Sequence, residues 1–269
     1  MENKYLFIYK PKRFVYPYLD KLNLKYLSFN KTAVNYIQYL INNNDKRVKT
    51  IDWNKLSANP NAIPLLMKNK DKINFKFLCL NKNAISLIKE RIDEIHWRFL
   101  SLNQNAISIL NENRDLISWR ELNLNKNCLS IINKNKDKIN SAYLSQNPNA
   151  INLLKENKEL IDDGSLNLNK NGVSLLLEEP SRIDYNLLTL NKNAIPILNE
   201  NRDKINYSLL AQNPNAIPII IENLDKICWE YLSMNKNAIP ILKNNMDKIN
   251  FNLISMNKSI FHKKMIFII

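Results

Sequence analysis

Ile205-Asn-Tyr-Ser-Leu-Leu-Ala-Gln-Asn-Pro-Asn-Ala-Ile-Pro-Ile-Ile-Ile-Glu-Asn-Leu-Asp-Lys226 is one complete copy of a 22-residue repeat. Its opening isoleucine recurs at Ile51, Ile73, Ile95, Ile117, Ile139, Ile161, Ile183, Ile205, Ile227 and Ile249 without insertion or deletion. An earlier copy begins at Leu22, and about seven extra residues separate it from Ile51. With the isoleucine as position 1, the consensus is I-[DN]-[WFY]-x-x-L-S-x-N-x-N-A-I-x-[LI]-[LI]-x-x-N-x-D-K. A fixed period of this length marks a solenoid in which each repeat buries its apolar face only against its neighbours.

The repeat reads as two short helices. Position 2 is Asp, Asn or Ser in eight of ten copies, residues whose short side chains satisfy the free amides of a helix start. The aromatic at position 3 and the leucine at position 6 then share one face, as in Trp53 and Leu56. Position 9 is Asn in all eleven copies, a turn residue whose side chain bonds nearby backbone. Position 11, Asn in nine copies, is expected to cap a second helix whose Ala, Ile and Leu at positions 12, 13 and 16 face the core. Pro64, Pro196, Pro218 and Pro240 at position 14 fit a first turn, where amide hydrogens lack helical partners. Asn at position 19 is expected to end that helix in the left-handed conformation.

These features define an all-α solenoid of about eleven repeats spanning residues 22–259. Residues 1–21 form an N-terminal flank or cap and residues 260–269 an apolar C-terminal tail. Stacking at about 9 Å per repeat gives a rod or superhelix on the order of 100 Å long. The alternative is a leucine-rich-repeat α/β horseshoe, because positions 3, 6, 8, 11, 13 and 16 also carry that spacing. Against it, position 8 would be buried on a strand, yet it is Ala58, Gln146 and Gln212 in the proline-bearing copies. The repeat at 161–182 is irregular: it holds both glycines, Gly164 and Gly172, and Asp163 replaces the aromatic, so it is expected to be the weakest joint. The tail, ending Met-Ile-Phe-Ile-Ile269, suits a closing helix folded back on the last repeat or an exposed self-association edge.

Composition narrows function. Two glycines in 269 residues leave no room for a dinucleotide fingerprint, a Walker loop or a glycine-rich kinase loop, each of which needs closely spaced glycines against a phosphate. Asparagine supplies 47 residues, roughly one in six. A net charge of +14 favours acidic partners, although AT-rich codons for Asn, Lys and Ile also produce such a balance. Three scattered cysteines, Cys79, Cys128 and Cys228, argue against a disulfide framework and for an intracellular setting. The apolar stretch from Tyr5 to Tyr9 is short for a signal segment, and no eighteen apolar residues run together.

Segments such as Leu144-Ser-Gln-Asn-Pro-Asn-Ala-Ile151, followed by Leu153 and Leu154, and Asp225-Lys-Ile-Cys-Trp229 resemble the Asn-rich short repeats of multicopy proteins from giant amoeba-infecting DNA viruses. More distantly the chain is similar to leucine-rich-repeat variant proteins, which are α-solenoids. It departs from the viral pattern in having Lys for Pro at position 10 and Pro or Ser for His at position 14. The resemblance implies a viral, intracellular setting, in host cytoplasm or virion, and no catalytic activity.

No catalytic, cofactor-binding or metal-binding residues are expected. His96 falls at an N-cap and His262 in the tail, neither with a repeated acidic or cysteine partner, and the three cysteines occupy different repeat positions. The acids at position 21 adjoin Lys or Arg and read as a solvated loop ladder. The candidate site is position 10, a row of Lys31, Lys82, Lys126, Lys170, Lys192, Lys236 and Lys258. The leading reading is a non-catalytic scaffold for a macromolecular partner, protein first, through variable positions 4, 5, 8, 17 and 18. The alternative is a polyanion binder that uses the lysine row against nucleic acid.

Overall fold

The computed structural model describes residues 5–267, with side chains described from residue 8 to residue 264. Each repeat is helical, so the α-solenoid stands and the strand-bearing horseshoe does not. In the repeat at Ile51 the first helix is Trp53–Ser57 and the second Ile63–Lys68. A third element, the 3-10 turn Lys70–Lys72, has no counterpart in the sequence reading. The same triplet recurs along the chain, for example Tyr185–Thr189, Ile195–Glu200 and Arg202–Lys204.

The capping logic holds at position 2 for Asp and Asn but not for Ser118, whose hydroxyl donates to the Glu121 carboxylate instead. Asp52 accepts from the Lys55 amide, Asn140 from Tyr143, Asp162 from Ser165 and Asn250 from Leu253. The prolines at position 14 sit in the first turn of the second helix. Two asparagine assignments need correction. The second helix is capped by position 12, usually Ala, with no side-chain cap bond, and position 11 lies outside it. Position 19 keeps negative φ, −134° at Asn69 and −131° at Asn201, and closes the helix another way: Asn69 Nδ2 donates to the Leu65 carbonyl at 2.8 Å and Asn201 Nδ2 to Ile197 at 2.9 Å. A side-chain amide reaching back four residues occupies the orphan carbonyl that a left-handed turn would otherwise satisfy.

The chain divides into two compact units: a terminal one, Met1–Leu78 with Trp229–Ile269, and a central one, Cys79–Cys228. In the central unit the core is position 6 and position 16 leucine or isoleucine with position 12, as in Leu100, Ala106 and Leu110, all buried. Position 3 is less buried than expected: Trp97 and Trp119 are only half-buried. In other repeats lysine at position 22 covers the position-3 ring, with Lys204 Nζ 4.6 Å above Tyr185 and Lys226 Nζ 5.1 Å above Tyr207. The irregular repeat keeps the common frame through helices Asp163–Leu168 and Val173–Glu178. Ion pairs stitch its exposed side, where Glu179 holds both Lys158 and Arg182, and Arg182 also reaches Asp163.

The terminal unit departs furthest from expectation. The N-terminal flank contains strand β1, Tyr5–Pro11, and a 3-10 stretch, Arg13–Lys21. The tail is not a closing helix: its strand β2, Phe261–Phe267, pairs antiparallel with β1, in register Tyr9 with Lys263 and Pro11 with Phe261. β1 supplies the backbone partners for this ladder that a lone tail helix would lack. The first and last repeats are stacked on one another, so the two separated ends of a rod are not found in this unit. The Asn23 amide donates to Ser255 Oγ at 3.0 Å, and Asn23 Nδ2 to Asn252 Oδ1 at 2.8 Å.

Candidate functional site

The site begins with the asparagine at position 9, buried throughout. In the central unit Asn125 Nδ2 donates to the carbonyls of Ser101 and Asn103, both at 2.9 Å, and Asn147 Nδ2 repeats the pair on Asn123 and Asn125. Its Oδ1 meanwhile accepts from the amide of position 11, Asn127 to Asn125 at 3.0 Å. In the terminal unit Asn257 bonds Ser233 and Asn235, Asn30 bonds Ser255 and Asn257, and Asn59 bonds Ser28 and Asn30. One buried amide thus satisfies two carbonyls of the preceding layer and fixes the register between layers.

Position 7 adds a second cross-link. The Ser101 hydroxyl donates to Trp97 four residues back at 2.8 Å and accepts from the Ser118 amide of the next repeat at 3.0 Å. Where serine is absent, Asn123 and Asn167 supply the acceptor to Asn140 and Asp184.

Position 11 then holds the turn that carries the lysines. Asn149 Nδ2 donates to the Lys126 carbonyl at 2.8 Å, Asn193 to Lys170 at 2.7 Å and Asn215 to Lys192 at 2.8 Å. Thr32 Oγ1 takes over the same role on the Lys258 carbonyl at 3.0 Å. The carbonyls of Lys31, Lys82, Lys126, Lys170, Lys192 and Lys258 are thus pinned by the following layer.

Lys236, Lys258 and Lys31 lie in three successive layers of the terminal unit, all exposed. Lys82, Lys126, Lys170 and Lys192 lie in the central unit, interrupted by Gln104, Pro148 and Pro214, with Lys170 half-buried and the others exposed. Among the described residues, Lys82, Lys126, Lys170, Lys192, Lys236 and Lys258 form no ion pair, whereas two of the six acids at position 18 do, Glu178 with Lys155 and Glu222 with Arg202.

Two basic residues escape a reading of the sequence. Lys12 and Lys243 line an open groove of about 500 Å³ together with Lys236, Asn237, Pro240 and Ser259. Lys12 lies outside the repeat and Lys243 at variable position 17, so periodicity carries no signal for either. The Lys12 amide is held by the Ile260 carbonyl at 2.8 Å, and Lys243 Nζ rests 5.3 Å from the Phe14 ring.

The remaining polar candidates do not converge. His96 fills a cap position without capping; its ring tilts against Phe99 with centroids 4.6 Å apart and its buried Nδ1 has no hydrogen-bond partner. His262 is exposed on β2. Burial raises the Cys79 thiol pKa and pushes that of Cys128 up to about 12. Among the described residues no cluster of three or more His, Cys, Asp or Glu could hold a metal, and no helix is long and apolar enough to cross a membrane. Compared with known proteins, the chain matches no family model, no curated protein and no solved structure.

Proposed function

We propose that the chain is a non-catalytic repeat scaffold that binds a polyanion of nucleic-acid type along the position-10 turns within each of its compact units, in an intracellular, virus-associated setting. The observation that carries this reading is the repeated position-10 turn: Lys82, Lys126, Lys192 and Lys258 are exposed, form no ion pair among the described residues, and have their carbonyls held by the next layer. Unpaired cations on a fixed backbone gain from phosphate binding through counterion release, with little ordering required of the chain.

The test replaces Lys82, Lys126, Lys170, Lys192 and Lys236 with Gln, which removes five of the +14 charges and leaves +9. Folding should persist, because position 10 also accepts Pro60 and Gln104. The log-salt slope for binding duplex DNA or RNA should fall by about 0.9 for each phosphate that is no longer neutralised. A control replacing Lys49, Lys68, Lys89, Lys134 and Lys264 should lose less. Equal losses would overturn the reading.

A protein partner is the second reading, favoured by apolar side chains left outside on the central unit: Leu177 is 61% exposed, Ile221 56% and Leu168 41%. Binding through these would be insensitive to salt and would survive the lysine replacements.

A further inference from the structure

The residues that break the repeat pattern meet in one place. β1, the 3-10 stretch Arg13–Lys21 and the helix Val34–Asn42 enclose a pocket of about 330 Å³ in the terminal unit. Tyr9, Tyr16, Tyr36 and Tyr39 dominate its wall, with Lys10 and Asn35 as its polar groups. Tyr9 and Tyr16 lie outside the repeat and Tyr39 falls at its variable position 18, while Tyr36 fills the apolar position 15. Tyr16 and Tyr39 stand 50% and 60% exposed, an unusual outlay of aromatic surface for a structural role.

The wall is rigid where it must be. The Tyr36 and Tyr39 rings are near parallel, 14° apart with centroids at 6.4 Å, and Tyr36 also leans on Phe261 of β2 at 6.0 Å. Behind them Arg47 clamps Asp45 through two hydrogen bonds, at 2.9 and 2.8 Å, and donates to the Leu19 carbonyl at 2.6 Å. Asn35 Oδ1 accepts the Tyr9 amide at 3.1 Å, which fixes the side chain and leaves its NH2 as an oriented donor. No acidic side chain lines the pocket, and Lys10, an exposed residue, is its one cation.

Aromatic faces bind flat rings, an amide donor bonds a ring carbonyl or nitrogen, and a lone lysine suits a single phosphate. A volume near the lower end for ligand sites suits one small molecule and not a chain. We propose that this pocket binds a mononucleotide, with the base on the tyrosines and the phosphate at Lys10. The inference is independent of the lysine row.

The experiment titrates the full chain with AMP, GMP, CMP and UMP, followed by calorimetry and by tyrosine fluorescence. At least one should bind one-to-one, with the matching nucleoside weaker and ribose 5-phosphate weaker still. Tyr39→Ala, at an exposed position that leaves folding intact by circular dichroism, should weaken binding roughly fivefold or more. Lys10→Gln should weaken the nucleotide but not the nucleoside, and Lys236→Gln should change neither. Failure of all four nucleotides to bind would overturn the proposal, as would unchanged affinity in Tyr39→Ala and Lys10→Gln. So would saturation of the pocket by a polyproline peptide in place of nucleotide.

Discussion

The side-chain amide of Asn30 donates to the carbonyl of Ser255, 225 residues further along the chain, at 3.0 Å. It makes the bond that Asn59 makes to Ser28 and Asn257 to Ser233, so the last repeat serves the first as any repeat serves its successor. Asn30→Ala leaves two buried carbonyls, of Ser255 and Asn257, without this donor. The expected loss is about 2–4 kcal/mol by urea denaturation, since an unsatisfied buried polar group costs roughly 1–3 kcal/mol. Asn125→Ala, within the central unit, is expected to lose a similar amount. A neutral Asn30→Ala beside a costly Asn125→Ala would show that the terminal stacking adds nothing to stability.

Local rules made some of this legible and non-local bonds hid the rest. Asp52 and Asn140 cap as their place in the period indicates, and Pro64 sits in a first turn, because both depend on neighbours within four residues. Asn61 and Asn69 are equally periodic, yet their amides reach the Lys31 carbonyl of another repeat and the Leu65 carbonyl of their own helix. The residue type allowed several bonds, and the stacking partner decided which formed. The pairing of β1 with β2 joins residues 250 or more positions apart and has no local signature. The lysine row follows from the period, whereas Lys12 and Lys243 needed the fold to bring them to Lys236.

The two glycines should respond in opposite directions to the same change. A Cβ on Gly172 would lie 2.6 Å from the Leu166 carbonyl oxygen and 2.8 Å from Leu166 Cδ1, although other repeats carry alanine at this position. Gly172→Ala is expected to destabilise by about 1–3 kcal/mol through overpacking. Gly164 lies inside helix Asp163–Leu168, and a Cβ there meets only ordinary neighbours at 3.7 Å. Gly164→Ala should stabilise by about 0.5–1 kcal/mol and slow hydrogen exchange in that repeat. Thermal melts of the two variants that shift the same way would contradict this reading of the packing.

Thiol labelling should separate the three cysteines. Cys228 is half-buried, whereas Cys79 and Cys128 are fully buried. With its pKa pushed up to about 12, Cys128 holds only about one thiolate in ten thousand at pH 8. A disulfide reagent at pH 8 should modify Cys228 first and reach all three only in denaturant. Rapid modification of Cys128 in the native protein would show that its repeat opens on the labelling timescale.

Acid should loosen two specific joints before it unfolds the chain. The side-chain hydrogen bond from Arg47, backed by the Arg47 amide, lowers the Asp45 pKa from 3.8 to about 2. Hydrogen bonds from Lys158 and Arg182 lower that of Glu179 from 4.5 to about 2. In both cases the folded value lies below the unfolded one, so the unfolded state binds more protons as pH falls. The stabilisation is therefore complete above about pH 4.5 and is lost as pH drops toward 2. The melting temperature should decline across that window. Asp45→Asn combined with Glu179→Gln should start lower at pH 6 and decline less steeply. Because these carboxylates are partly exposed, raised salt should narrow the difference between the two proteins. Parallel melting curves from pH 5 to pH 2 would mean that other carboxylates carry the acid response.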